Sequence, residues 1–381
     1  MSPSKALVLA LATLASLALF LGPSASAQVT PAAGYVAGDD TPTWKVGGTI
    51  FTDYTYTDEP TILDADGNEV HPTAFDVKRA YINITGTLHH LLAFRITPDI
   101  VRETGSGGNV DGSLTFRLKY AYGQLNLDDA WSKGSWVRLG LQQTPYVDYA
   151  ESVYRYRFQG PTFADAERYI TSSDFALSTH YNFPGNFGDV HAGYYNGDGY
   201  SRADPNDQKA IQIRATLRPV PNGGIIKGLR LTAFYDADHY ARDDARTRLI
   251  LNATFEHKYV NASVEHLDAK DQLTAAVPEI EGKGWSIWVT PKFARTPRSI
   301  DGAAPPAAMS QWELLLRWDR LKPDKDVEAE KERKIAGVAY WFAIQRPVAA
   351  SLLLDYEEVT YDLLLAKPDE KRYALHALFN F

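Results

Sequence analysis

The segment 371–381 constrains the fold more than any other part of the chain. Tyr373, Leu375, Ala377, Phe379 and Phe381 fall on one side of an extended strand, and Ala374, His376, Leu378 and Asn380 on the other. Side chains of a strand project alternately to its two faces, so this pattern builds one almost wholly apolar face. An alternating strand that ends on an aromatic suits a transmembrane β-barrel, where one face meets lipid and the other a lumen. An amphipathic strand in a soluble sheet would alternate too, so the rest of the chain has to decide.

The opposite end supports the barrel. Lys5 precedes an uncharged stretch from Ala6 to Gly22, followed by PSASA at 23–27. A positive start, an apolar run and an Ala-x-Ala site form the pattern of a secretory signal, with cleavage expected after Ala27. The run is at the short end of the roughly 17–25 residues that a membrane helix needs. The expected organisation is a signal at 1–27, a short polar lead at 28–41 and one barrel over 42–381. The mean hydropathy of -0.29 does not oppose this, because a barrel hides its membrane face by alternation. Twenty-two Tyr, 8 Trp and 16 Phe would supply interfacial girdles. With no cysteine, disulfides, thiolate metal sites and a cysteine nucleophile are excluded. The net charge of -8 becomes -9 once Lys5 leaves with the signal, which argues against a nucleic-acid partner.

Sixteen strand-like segments follow, near 42–57, 74–86, 91–102, 113–127, 135–144, 172–183, 189–197, 208–218, 228–238, 245–256, 259–268, 283–293, 310–320, 333–344, 348–360 and 371–381. Their lengths cluster near the roughly 9–11 residues of a tilted membrane strand. Short links at 87–90, 128–134, 184–188, 257–258 and 345–347 alternate with long ones at 58–73, 103–112, 145–171, 198–207, 269–282, 321–332 and 361–370. Short periplasmic turns and long extracellular loops produce this rhythm, with both termini on the periplasmic side. The proline-bearing link at 294–309 is long in a slot where a short one is expected. The sequence therefore predicts an all-β fold: a transmembrane antiparallel barrel of about sixteen strands with a long third extracellular loop.

Several segments resemble one family. They are WKVGGTIFTD at 44–53, FDVKRAY at 75–81 followed by Gly86, RLGLQQTPY at 138–146, YYNGDGY at 194–200, and the strand at 209–219. In this order and spacing they are similar to the phosphate-selective porin O/P family, most strongly over 44–236. The resemblance implies a sixteen-stranded channel in the outer membrane of a Gram-negative bacterium, usually trimeric. It implies passive diffusion of small hydrophilic solutes, without establishing phosphate as the substrate. Outer-membrane proteins carry a terminal aromatic strand similar to this one, read by the barrel-assembly machinery, which makes Phe381 the expected assembly signal.

With the apolar face toward lipid, the other face can be read strand by strand. It carries Arg79, Tyr81 and Asn83, then Arg95 and Thr97, Arg117 and Lys119, Arg138 and Gln142, Arg214 and Arg218, Arg230 and Thr232, and Arg248. The second half contributes Glu256, Glu265, Glu313, Asp355 and Glu357, with Arg317 and Lys292. The expected lumen is polarised, an arginine wall facing an acidic one. Rows of Arg and Lys favour anions, and Arg makes forked contacts to phosphate or carboxylate. The bland reading is that lumen charges pair with one another and keep the interior wet. The 145–171 segment has the length and content to fold inward and narrow the channel, with Tyr154, Arg155, Tyr156 and Arg157 as constriction residues. Its tyrosines could instead stack sugars, which keeps a channel for neutral solutes as the alternative.

Other motifs carry less. His89 and His90 are adjacent, so in a strand they would point to opposite faces, and they fall in a turn; no metal site is expected there. Asp64-Ala-Asp-Gly-Asn-Glu69 begins like a calcium loop, but its glycine is misplaced for an EF-hand and no distal Glu follows. Asn83, Asn252 and Asn261 open glycosylation-like triplets inside strands and are read as accidents. No nucleophile elbow, His-Glu-x-x-His or phosphate loop occurs, so neither an enzyme nor a cofactor is expected.

Overall fold

The computed structural model describes residues 40–381 apart from 106, 205, 243, 275, 294–310, 343 and 345–347. The expected signal sequence, nearly all of the lead and the long link at 294–309 lie outside the described residues.

Strand β1 (Thr43–Glu59) is followed by a small hairpin, β2 (Ile62–Leu63) and β3 (Glu69–Val70), in the first long loop. Then come β4 (Thr73–His89), β5 (Leu92–Arg102), β6 (Leu114–Asn126), β7 (Trp136–Gln143), β8 (Ser173–Asn182), β9 (Gly188–Tyr195) and β10 (Ala210–Leu217). The circuit continues through β11 (Leu229–Ala241), β12 (Asp244–Glu256), β13 (Val260–Asp271), β14 (Ile280–Pro291), β15 (Trp312–Lys322), β16 (Lys331–Trp341), β17 (Ala349–Tyr361) and β18 (Glu370–Asn380). Apart from the hairpin, these sixteen strands form one closed antiparallel barrel in which each pairs with its sequence neighbour and β18 returns to β1. Closure leaves no unpaired strand edge, the condition for a sheet to exist in hydrocarbon. No helix among the described residues is long and apolar enough to cross a membrane.

Alternation decides which way each strand faces. In β10, Ile211 and Ile213 are about half exposed on the outside, while Gln212, Arg214 and Thr216 are buried on the inside. The seam between first and last strands is held by a reciprocal pair: the Phe381 N–H donates to the Gly48 carbonyl (2.9 Å) and the Gly48 N–H to the Phe381 carbonyl (2.8 Å). The Phe381 ring lies over Gly48, where a Cβ would come within 2.6 Å of its Cζ. Only a residue without a side chain lets the terminal aromatic close so tightly.

Among the described links, loops sort by end with two exceptions. The β11–β12 link, on the long-loop side, is a tight reversal with Ala241 opposite Asp244. The β10–β11 link on the short-turn side runs through a one-turn 3-10 segment, Ile225–Gly228.

The third long loop folds into the barrel. It contains α1 (Pro145–Val153), opened by a proline whose missing N–H costs nothing at a helix start, and the single turn α2 (Phe163–Ala166). Tyr146, Tyr154, Tyr156 and Phe163 are at most 1% exposed, packed on an apolar strip of the inner wall. That strip consists of Phe234, Ile250, Leu267, Leu315, Ile335 and Leu353, one inward residue from each of β11, β12, β13, β15, β16 and β17. The sequence reading took only the polar members of these inward rows, so these apolar residues are an addition to it. They interrupt the polar rows because the wall they form meets protein rather than water.

Candidate functional site

The loop covers one half of the inner wall and leaves the other open. Over the covered half, two of the acidic residues expected to form a second lumen wall, Glu313 and Glu357, instead fasten the loop, while Glu256 and Asp355 pair with Arg230 and His376 of the wall itself. Glu313 pairs with Arg155 and accepts from the Tyr156 hydroxyl (2.9 Å). Glu357 accepts from Gln159 (2.8 Å) and pairs with Arg372 and Arg333. Arg317 donates to the Pro161 carbonyl (2.7 Å) and forks onto Asp319, Arg248 donates to the Tyr169 carbonyl (3.0 Å), and Lys331 pairs with Glu167 (2.7 Å). The expected picture of an arginine wall facing an acidic wall across water is therefore corrected. Tyr154 and Tyr156 belong to this interface, with rings 5.4 Å from Trp288 and 5.8 Å from Trp341, and do not face an open passage. The stacking track for sugars that the loop tyrosines suggested is buried with them.

The open half is formed by β4 to β7, and its charges are arranged differently. Arg79 and Arg117 share one carboxylate, the fully buried Asp99, at 3.0 and 3.1 Å. Arg95 donates to the Asn83 side-chain carbonyl (2.8 Å) and to the Thr97 hydroxyl (3.0 Å). Lys119 reaches the Tyr81 hydroxyl (3.4 Å), and Arg138 donates to the side-chain carbonyls of Gln124 (2.7 Å) and Gln143 (3.3 Å). None of these last three has a carboxylate within ion-pair distance among the described residues. Their hydrogen-bond partners are neutral acceptors, and the carboxylates that face them, Asp148 and Glu151 of the loop helix, stand beyond ion-pair distance. Aromatic rings flank the same groups: Arg138 stacks on Trp136 (3.6 Å to the centroid) and Tyr122 (4.6 Å), Arg95 on Tyr120 (4.5 Å), and Arg117 on Tyr200 (4.5 Å). A cation over a ring face is attracted by the ring quadrupole and keeps its charge.

Asp99 follows Arg95 and Thr97 inward in unbroken alternation along β5, whereas Tyr120 and Tyr122 escaped the sequence reading for a reason of register. The β5–β6 register shifts between Thr97 and Pro98, where Tyr120 and Leu118 are the partners. One extra residue in β6 reverses the parity, so Lys119 and Tyr120 are both buried and Tyr122 follows them inward. Pro98, which cannot donate to a ladder, was the available signal. Further round, Arg214 pairs with Asp189 and Arg230 with Glu256, so these two cations of the predicted row are compensated.

Facing the basic wall from the loop are the acidic groups of α1. Asp148 lies in the field of Arg138, Arg214 and Arg95 without forming an ion pair with any of them, and Glu151 pairs with Arg157 (2.6 Å). Toward the long-loop end the space widens into a vestibule of about 590 Å³, lined by Arg79, Arg157, Asp165, Arg168, Tyr200 and Arg202 among others. Arg168 and Arg202 are exposed there and have no ion-pair partner among the described residues.

Comparison with known proteins adds the fold. No protein-family profile matches the chain, and no curated protein matches it. Solved structures do. An anion-selective porin from Comamonas acidovorans is similar with a TM-score of 0.58 at 13% identity, covering 90% of this chain and 100% of that one. The trimer form of OmpT, an outer membrane protein of Vibrio cholerae, is similar at 0.53 and 12%, covering 90% and 100%. The outer membrane channel DcaP of Acinetobacter baumannii is similar at 0.53 and 11%, covering 91% and 100%. At these identities the likeness is one of fold, and it extends over almost the whole described barrel.

Proposed function

We propose that the chain is an outer-membrane porin of a Gram-negative bacterium, a water-filled channel for passive diffusion of small hydrophilic solutes with a lean toward anions. The observation that carries the lean is the set Arg95, Lys119 and Arg138, three adjacent-strand cations held by neutral acceptors. Arg79 and Arg117 add two more against a single Asp99. The chain is acidic overall, but an ion in the channel responds to the nearest wall. At physiological ionic strength charges are screened over about 8 Å, so acidic loops at the rim count for little. Arginine forks suit phosphate and carboxylate alike, which keeps phosphate among the solutes. The resemblance to the phosphate-selective porin O/P family and the likeness to an anion-selective porin both support this reading. A cleaved signal at 1–27, delivery to the barrel-assembly machinery, outward contact with outer-membrane lipid and assembly as a homotrimer belong to the same proposal.

Planar-bilayer recording in asymmetric KCl tests it. The reversal potential should take the sign of chloride preference, and inorganic phosphate should compete with chloride current. A wild-type channel that prefers potassium would sink the anion reading. One with no charge preference would favour the alternative, a channel for neutral solutes.

A further inference from the structure

At the short-turn end of the barrel, the β4–β5 reversal brings two imidazoles together. Because His89 ends β4 and His90 begins the turn, the two rings do not diverge as neighbours in a strand would. Their centroids are 4.3 Å apart, tilted by 33°. His89 Nε2 lies 3.1 Å and His90 Nδ1 2.6 Å from the same oxygen, Oδ1 of Asp40. Asp40 belongs to the segment that leads into β1, and the His90 backbone N–H also donates to it (3.2 Å). The far nitrogen of His90, Nε2, is 3.0 Å from Oδ2 of Asp129, on the β6–β7 turn.

We propose that Asp40, His89 and His90 bind a borderline divalent cation, zinc by preference, with Asp129 as the outer carboxylate that orients His90. Three donor atoms lie within 4.8 Å of one another. Zinc–ligand bonds of about 2.0–2.2 Å in a tetrahedron put donors roughly 3.3 Å apart; the 3.1 Å between His89 Nε2 and Asp40 Oδ1 is close to that, and the 2.6 Å between His90 Nδ1 and the same oxygen lengthens as an ion enters between them. Two imidazoles and one carboxylate are the donor set of zinc, copper(II) or nickel, whereas calcium and magnesium want oxygens. The second observation is Asp129. A carboxylate on the remote ring nitrogen keeps the proton there and turns the lone pair of Nδ1 toward the metal position, the arrangement that orients histidine ligands generally. Binding releases the proton that His90 Nδ1 shares with Asp40 in the free protein, and His89 has one adjustment to make. Its Nδ1 accepts the Leu91 N–H (3.2 Å), so on binding metal through Nε2 it releases that bond and carries its proton at Nδ1. Asp40 is exposed and both histidines are half-buried, which leaves a fourth position open to water. A bound ion would tie the segment entering β1 to the β4–β5 turn, with Asp129 of the β6–β7 turn behind it.

The test is calorimetric titration of zinc chloride into the chelator-treated full-length barrel, folded in mild detergent. One zinc per chain is expected. Binding should disappear in the His89→Ala/His90→Ala double variant and weaken by about 10- to 100-fold in Asp129→Asn, the usual cost of losing an outer-shell partner. A large excess of magnesium should not compete. Folding is followed separately by the mobility shift of unheated samples; if the double variant does not fold, Asp40→Asn, which keeps both imidazoles, should still lower affinity by at least tenfold. No saturable zinc binding to the wild type, or equal affinity in wild type and variants, overturns the proposal and reduces any zinc uptake to the acidic surface.

Discussion

Arg95, Lys119 and Arg138 differ from most other cations inside the barrel in what holds them. Arg214, Arg230, Arg246, Arg248 and Arg317 each meet a carboxylate, and such pairs contribute little net field. The three on β5, β6 and β7 meet amides and hydroxyls instead. Replacing all three by Gln should therefore move the reversal potential toward potassium, while the charge-neutral double change Arg230→Gln/Glu256→Gln, which removes a compensated pair whole, should leave it nearly unchanged. Bilayer recordings of the two variants side by side check this, and equal shifts would show that pairing does not govern selectivity. Gly48 is the other residue whose chemistry is forced. Gly48→Val sets a branched side chain where the Phe381 ring lies. The yield of barrel that shifts mobility on heating should fall, and a normal yield would mean that the seam relaxes at little cost.

The inward loop is the element that most shapes the barrel interior. Its two faces are chemically distinct: Tyr146, Tyr154, Tyr156 and Phe163 bury against the apolar strip, while Asp148 and Glu151 look across to the basic wall. Docking therefore rests on ordinary core packing. Ile250→Ala or Leu315→Ala deletes buried methyls from under the loop at a cost of about 2–5 kcal/mol each. The strand ladders need neither side chain, so the barrel should still fold and shift on heating. With both changes together, single-channel conductance is expected to rise and become noisy as the loop leaves its seat. An unchanged, quiet conductance would show that the ion pairs of Glu313, Glu357 and Glu167 suffice. The bulge at Thr97 and Pro98 works at the same scale, since it turns Tyr120 and Tyr122 to the basic wall.

For the whole molecule, closure is the governing fact. Every barrel strand is paired on both sides, and the ladder that closes the ring joins β18 to β1. Deleting Phe381 removes two of the seam's backbone hydrogen bonds with Gly48 and the aromatic that an assembly machinery would read. Folded yield in outer membranes is expected to drop at every expression level. The outer surface carries half-exposed Leu, Ile, Phe and Trp around the circumference, and a trimer would cover part of it against other copies. An SDS-resistant species of three times the chain mass is expected before heating. A single-chain mass by native mass spectrometry in mild detergent would count against it.

Strand number and position were legible because lipid on one side enforces a period of two. The alternation of Ile211, Ile213 and Leu217 with Gln212, Arg214 and Thr216 marks a wall strand without any tertiary information. The terminal aromatic and the placement of Arg79, Arg95, Arg117, Lys119 and Arg138 on the inner face follow from the same rule. What lies over that inner face does not follow from it. Ile250 and Leu315 sit at inward positions of otherwise polar rows, and only the folded loop explains why they are apolar. Whether an arginine acts or merely pairs is likewise tertiary: Arg214 and Arg138 look alike in sequence, but Asp189 comes beside one and Gln124 beside the other. Periodicity is a local property of the chain, whereas charge compensation depends on which side chain the neighbouring strand sets alongside, and burial of the inner wall on a loop folded in from elsewhere in the sequence.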